Sequence, residues 1–289
     1  MAKRTNYLQL ALDLRRGGWL IHDPETLLPV VNAFLNREQL PAASLEDYQV
    51  SCYEIAGESV KTAKSGSKQP RVIVVPIHTS MTKYDTCETY GTDGIAGKMS
   101  ELVDDPTVVG FVIDIDSGGG SINSVPPMVA AIARARAAGK PVVAHVDACY
   151  SAAYWVASQC DAIFMDNETS SGVGSIGAFV QFLDDREDKR SGFKVVTVYA
   201  PQSTEKNRAY REALDGKPER MQQELAKIVD RFHAAVKAGR PRLKADAEGV
   251  LSGACFDLET AMAVGLADGR ASLQQSVENV FIRAEFSKD

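Results

Sequence analysis

Pro141-Val142-Val143-Ala144-His145-Val146-Asp147-Ala148-Cys149-Tyr150-Ser151-Ala152-Ala153-Tyr154-Trp155 reads as strand, sharp turn and helix, with a serine at the turn. The apolar, β-branched run at its front suits a buried strand. A serine at a helix N-terminus sits beside unpaired backbone N–H groups and the positive end of the helix dipole, where a developing oxyanion is stabilised. Serine is also a preferred N-cap residue, so the same stretch describes many helices that catalyse nothing. Its flanks have to decide between the two.

Upstream, Arg71 to Ile77 is a short β-branched run that reads as a buried strand and opens the main domain. Met81 to Gly94 is expected as a loop, and Ile95, Met99 and Leu102 as one face of a helix. A second strand, Val108 to Ile115, ends in Asp116-Ser117-Gly118-Gly119-Gly120-Ser121, and a helix from Val125 to Ala138 closes at Gly139-Lys140-Pro141. Strands alternating with helices imply right-handed βαβ crossovers and a largely parallel sheet, an α/β fold. Function collects at the carboxyl ends of such strands, and both the glycine triplet and Ser151 lie there, in successive units. Consecutive glycines let the backbone turn an N–H into a cavity that a Cβ would obstruct, although a tight turn or a phosphate cradle would use them as well. The G-x-x-x-x-G-K-[ST] and G-x-G-x-x-G patterns are both absent in a strand-to-helix context.

Downstream, Cys160 to Met165 reads as another strand, and the Gly- and Ser-rich run from Asn167 to Val180 as a loop forming the floor or wall of a cleft. Lys194 to Tyr199 is expected as a strand, which leaves Lys206 in the loop that follows it. Met221, Leu225, Ile228, Val229, Phe232 and Val236 then recur at helical spacing along one amphipathic helix.

Residues 1–56 are expected as a helical N-terminal extension, with leucines from Leu8 to Leu14, a break at Gly17-Gly18 and a second helix opening at Asp23-Pro24. The Lys-, Ser- and Gly-rich residues 57–70 read as a linker, residues 71–275 as the main domain and residues 276–289 as a C-terminal tail.

At 289 residues, with 45% hydrophobic content, the chain can bury a substantial core. A net charge of -6 and a pI near 5.4 carry no footprint for nucleic acid. Five cysteines without a C-x-x-C pair argue against a disulfide framework or a zinc site and suit a reducing cytoplasm. No metal or other cofactor is expected. No segment reaches the roughly 18 apolar residues of a membrane helix, and no signal-peptide core is present, so a soluble protein is expected.

A serine hydroxyl needs a base. His22 falls in the N-terminal extension, His78 follows the first strand, His233 lies in the long helix, and His145 reads as a core histidine satisfied by backbone. A lysine serves if burial disfavours its charge and lowers its pKa towards about 7 to 8. Chemistry alone leaves Lys206, Lys194 and Lys189 open.

Four ordered stretches together resemble the signal-peptide-peptidase A-like (S49) serine peptidases: Phe111 to Ser121, Ala137 to Val143, Ser151 to Ala157 and Gly174-Ser175-Ile176-Gly177. Leu251-Ser252-Gly253, Ala261 and Gly265-Leu266-Ala267-Asp268 resemble the family's closing motif. The resemblance implies a ClpP/crotonase-like fold of repeated ββα and βαβ units. It also implies a Ser/Lys dyad of Ser151 and Lys206, and an oxyanion hole from the N–H groups of Gly119 and Ala152. Gly118, Gly120, Ser175, Ile176 and Gly177 would then contact the substrate. Gly118 stands where the family usually has proline, and Ala152 and Ala153 where it has glycines; the N–H donors survive both changes. The soluble branch of such proteins includes bacteriophage head proteases, which implies capsid, portal or scaffold partners, a homo-oligomer whose lysine can come from a neighbouring subunit, and a location in the host cytoplasm or procapsid. Two other functions fit the same residues. One is a catalytically silent member of a ring or shell, and the other is a crotonase-type acyl-CoA enzyme that uses glycine-rich oxyanion loops without a nucleophilic serine.

Overall fold

The computed structural model describes residues 19–21, 48–56, 59–62, 68–86, 89–181 and 197–286. The expected helices around Leu8 to Leu14 and after Asp23, together with His22, Cys87, Lys189 and Lys194, lie outside these residues.

Eleven strands are described: β1 (Trp19–Ile21), β2 (Ser51–Ala56), β3 (Ser59–Thr62), β4 (Arg71–His78), β5 (Val108–Ser117), β6 (Gly119–Ser121), β7 (Val142–Tyr150), β8 (Ala162–Met165), β9 (Gly172–Gly174), β10 (Cys255–Phe256) and β11 (Gly269–Arg270). The helices are α1 (Thr92–Val103), α2 (Val125–Ala137), α3 (Ala152–Ala157), α4 (Arg208–Leu214), α5 (Glu219–Gly239), α6 (Leu258–Val264) and α7 (Leu273–Phe286).

β4, β5 and β7 lie side by side and parallel, each joined to the next through a helix, as the alternating pattern predicts. Period-two alternation gives the sheet two apolar faces. Ile73, Val75, Ile77, Phe111, Ile113, Ile115, Ala144 and Val146 enter one large core with α1, α2, α3 and α5. Val72, Val74, Val112 and Val143 face the other way, onto Val277, Val280 and Phe281 of α7. Residues 276–286 are therefore the cover of one sheet face rather than a tail, because α7 turns its apolar side onto strands that would otherwise expose valines.

The N-terminal expectation also changes. Residues 51–56, expected as helical, form β2, which pairs antiparallel with β4, and part of the expected linker is β3, hairpinned to β2. Alternation in Ser-Cys-Tyr-Glu-Ile-Ala is weak, and the unpaired edge of β4 supplies the hydrogen bonds that place it. Val142 to Val146, expected to end before Asp147, continues as a strand to Tyr150. Thr197 to Tyr199, the described part of another expected strand, has no regular structure.

β7 forks the sheet. Its first half, Val143 to Val146, pairs with β8, and its last three residues, Ala148 to Tyr150, pair with β9. β5 shifts register against β7 between Ile115 and Ser117, at the same level. The carboxyl ends of β5 and β7 stay paired beyond this shift, Ser117 with Cys149, so Gly119 and Ser151 follow the ends of two neighbouring strands.

Candidate active site

Ser151 follows directly on β7 and caps α3 with φ 56 and ψ -119. Such a backbone is unfavourable for a residue with a Cβ and costs on the order of 1 to 3 kcal/mol. The Ser151 N–H donates to the Gly174 carbonyl at 2.8 Å, so β9 holds the turn from below, while Trp155 N–H donates back to the Ser151 carbonyl at 3.0 Å. The residue is only 2% exposed. Ala152 and Ala153 are fully buried where the helix begins, and α3 rests against β6.

α3 is held from behind as well. The Tyr154 hydroxyl donates to the Leu266 carbonyl at 2.9 Å, and Trp155 stacks on Phe232 of α5 with centroids 4.7 Å apart. The closing motif thus acts mechanically: Gly265 in the left-handed region ends α6, Leu266 receives Tyr154, and Asp268 forms a two-pronged ion pair with Arg240.

Against α3, the helix that Ser151 precedes, lies β6. Gly119 has φ 102, a backbone in the left-handed half that favours glycine. Gly120 has a different reason to be glycine, since a Cβ there would meet the Met81 carbonyl oxygen. Met81 runs beside β6: its N–H donates to the Gly119 carbonyl at 2.7 Å, and its carbonyl accepts from Ser121 N–H at 2.9 Å. The Gly119 N–H, the expected oxyanion donor, points to the hydroxyl oxygen of Ser117 at 3.1 Å, and that hydroxyl donates in turn to the Thr79 carbonyl at 2.5 Å. Neither Ser117 nor Met81 is distinguished in the sequence, because a serine before three glycines reads as turn chemistry and a methionine in a polar stretch carries no signal.

Among the other expected contact residues, Gly118 is half-buried between β5 and β6. Ser175 takes φ 53 and donates its N–H to the Ala254 carbonyl at 2.8 Å, Ile176 is fully buried, and Gly177 is half-buried in the irregular chain that follows β9. Ser151, Ala152 and Gly174-Ser175 are therefore joined at one place, with β6 against α3. Among the described residues Lys206 is hydrogen-bonded to none of them. It is exposed in the turn before α4, its N–H donating to the Ser203 carbonyl, and among the described residues no hydrogen bond joins it to Ser151. Arg208, Glu205, Glu212 and Arg220 tie that turn to the start of α5 through ion pairs.

His145 is buried, but carboxylates satisfy it rather than the expected backbone: Nδ1 lies 2.7 Å from Asp114 and Nε2 3.2 Å from Asp166. His78 shares Asp114 at 3.2 Å. Burial would lower the imidazole's pKa, yet the bonds and charges of Asp114 and Asp166 outweigh it and raise His145 above its ordinary value. Burial likewise opposes ionisation of Asp114, but His145 and His78 bring its carboxyl down to about 2. This cluster shares the strand face of Val74, Val112 and Val143, and it includes neither Ser151 nor β6. His233 is in α5 with its Nε2 buried and unpartnered among the described residues. Among the described residues no group of His, Cys, Asp or Glu is arranged to hold a metal ion.

The described site is a serine in a strained strand-to-helix turn, at the start of a helix that rests against β6. Residues 134–286 match peptidase family S49. The chain belongs to that family. The mixed α/β sheet fits the ClpP/crotonase-like fold expected from the sequence, and its strand β7 forks before Ser151. Over 195 residues the S49 chain is 28% identical to Protease 4 of Salmonella typhi, covering 67% of this chain and 31% of that protein. It is also 28% identical over 195 residues to Protease 4 of Haemophilus influenzae, with 66% and 31% covered. It spans about a third of the length of these relatives. Among solved structures it is similar to the 1510-N membrane-bound stomatin-specific protease, with 15% identity, a TM-score of 0.47, and 75% of this chain and 85% of that one covered. An enoyl-CoA hydratase/isomerase family protein from Silicibacter pomeroyi gives 13% identity and a TM-score of 0.40, with 77% and 81% covered. No helix among the described residues is long and apolar enough to cross a membrane.

Proposed function

We propose that this S49 chain is a serine endopeptidase with Ser151 as nucleophile and Lys206 as general base. The observation that carries the proposal is the Ser151 turn itself, strained at φ 56, braced by Gly174 and set at the start of a buried helix that rests against β6. In the first step the Ser151 Oγ attacks a peptide carbonyl carbon and its proton passes to the Lys206 amine. The N–H groups of Ala152 and Gly119 receive the oxyanion, each worth about 3 kcal/mol of barrier. Collapse expels the amine, which takes the proton back from Lys206, and water hydrolyses the acyl-enzyme by the same route in reverse. Gly118, Gly120, Ser175, Ile176 and Gly177 would line the path of the substrate chain.

A lysine acts as a base near neutral pH only when desolvated. One subunit leaves Lys206 in solvent, and Val198 nearby is 87% exposed. Both features support a homo-oligomer in which a neighbouring subunit covers this turn and brings Lys206 to a serine. Mixing Ser151→Ala chains with Lys206→Met chains tests it: two inactive proteins regain hydrolysis if the dyad forms between subunits.

The sequence resemblance to phage head proteases supports capsid, portal or scaffold proteins as the substrates, met in the host cytoplasm or the procapsid. Co-expression of a capsid or scaffold protein with the wild-type chain should yield processing that Ser151→Ala abolishes, and unchanged cleavage in that variant would falsify the assignment. One observation favours a silent shell protein instead, the engagement of Gly119 N–H by Ser117. Labelling of Ser151 by a fluorophosphonate decides against it, whereas binding of CoA without labelling would point to an acyl-CoA enzyme.

A further inference from the structure

β6 has two edges, and both are taken. Along one runs Met81, using the Gly119 carbonyl and the Ser121 N–H. Along the other lies β1, antiparallel, with Trp19 opposite Ser121, Leu20 opposite Gly120 and Ile21 opposite Gly119. Successive residues of a strand direct their polar groups to alternate edges, so the groups of Gly120 are the ones left for β1, and Leu20 is the residue that meets them. The glycine strand against which α3 rests is thus already paired with an extended piece of its own chain.

The direction of β1 is informative. Moving from Trp19 to Ile21, the chain runs antiparallel to β6 and ends opposite Gly119, so it covers the whole length of the glycine strand. Register and polarity are those of a peptide added to a sheet edge, where main-chain bonds provide the affinity. At the same time the Gly119 N–H is engaged by the Ser117 hydroxyl. A competing strand on the binding edge and an engaged donor are the two marks of a resting site.

We propose that residues 19–21 are a built-in competitor for the substrate: an autoinhibitory strand that occupies in cis the edge of β6 that an extended peptide requires. This rests on the peptidase reading above. Belonging to the same chain, the strand competes as an intramolecular ligand at an effective rather than a bulk concentration, which masks a weakly binding peptide. In the sequence it lies between Gly17-Gly18 and Asp23-Pro24, in the interval between two expected helices, where an extended segment is locally permitted.

The test uses the full chain and its Leu20→Pro variant, which lacks the N–H facing Gly120, with Leu20→Ala as a control that keeps it. The ligand is a fluorescent peptide copying residues 14–26, and binding is read by anisotropy beside the rate of fluorophosphonate labelling at Ser151. Leu20→Pro is expected to bind the peptide at least fivefold more tightly than the wild type and to label at least fivefold faster, with Leu20→Ala within twofold of the wild type. Equal peptide affinity in all three chains overturns the proposal. So does tighter binding with an unchanged labelling rate, which would make β1 a bystander to the serine. Tighter binding with no labelling in any chain supports the competing strand while rejecting Ser151 as nucleophile, so the two failures are separable.

Discussion

The hydroxyl of Ser117 accepts the backbone N–H of Gly119 at 3.1 Å while donating to the Thr79 carbonyl at 2.5 Å. A small side chain at the end of β5 therefore holds the donor that the proposed chemistry needs for its oxyanion. Ser117→Ala removes that competitor at the cost of an unmet carbonyl. A neutral hydrogen bond is worth about 1 kcal/mol net. The variant should lose about that much stability in urea, and Ser151 should react with a fluorophosphonate several-fold faster than in the wild type. A slower reaction would mean that the hydroxyl shapes the donor rather than occupying it.

Ser151→Gly should be inactive and more stable. The φ of 56 at Ser151 is strained for serine and free for glycine. Relief of about 1 kcal/mol should raise the melting temperature by about 2 °C or more. A melting temperature below that of the wild type would show that the hydroxyl contributes more to the fold than the backbone costs it.

The cluster of His78, Asp114, His145 and Asp166, with Asp116 and Asp147 near it, sets a pH window. The pKa of His145 is raised from 6.5, so its contribution to stability is complete below that value and is lost as pH rises through the folded-state pKa. Asp114 is lowered from 3.8 to about 2, so its contribution is complete above 3.8 and is lost as pH falls towards 2. Both are whole between about pH 4 and 6.5. Melting temperature against pH should therefore be highest there, and His145→Gln should flatten the alkaline limb and shrink the acid limb with it, because Asp114 loses one of the two imidazoles that hold its carboxyl down. A parallel downward shift of the entire profile would assign His145 a packing role only.

Asp268 receives Arg240 at 2.7 and 2.8 Å and also accepts the Ile163 N–H at 2.8 Å. The Arg240 side chain is 7% exposed, so removing its partner strands a buried charge. Asp268→Ala should cost about 3 kcal/mol or more in chemical denaturation. The Leu266 carbonyl beside it supports Tyr154, so the labelling rate of Ser151 should fall as well. A loss under 1 kcal/mol would mean that water reaches the guanidinium.

Much of the core was legible because it is written locally. β-branched runs and the Gly-Lys-Pro stop after α2 mark their own elements, and Ser151 announces a turn between a strand and a helix. β2 and α7 were not legible as parts of the sheet layers, since a short mixed run and an amphipathic end show their role only against a partner. His145 and the two carboxylates that satisfy it, Asp114 and Asp166, come from three different stretches of chain, and no spacing rule joins them.

By itself the sequence determined the βαβ order, the serine at the third strand's end and the glycines at the second's, because propensity and turn chemistry act over a few residues. Tertiary structure alone decided where β1 pairs, what holds the Gly119 N–H and that Lys206 stands in solvent. Hydrogen-bond partners and burial depend on segments brought together by closure of the chain, and each edge of β6 could in principle accept any extended strand that reached it.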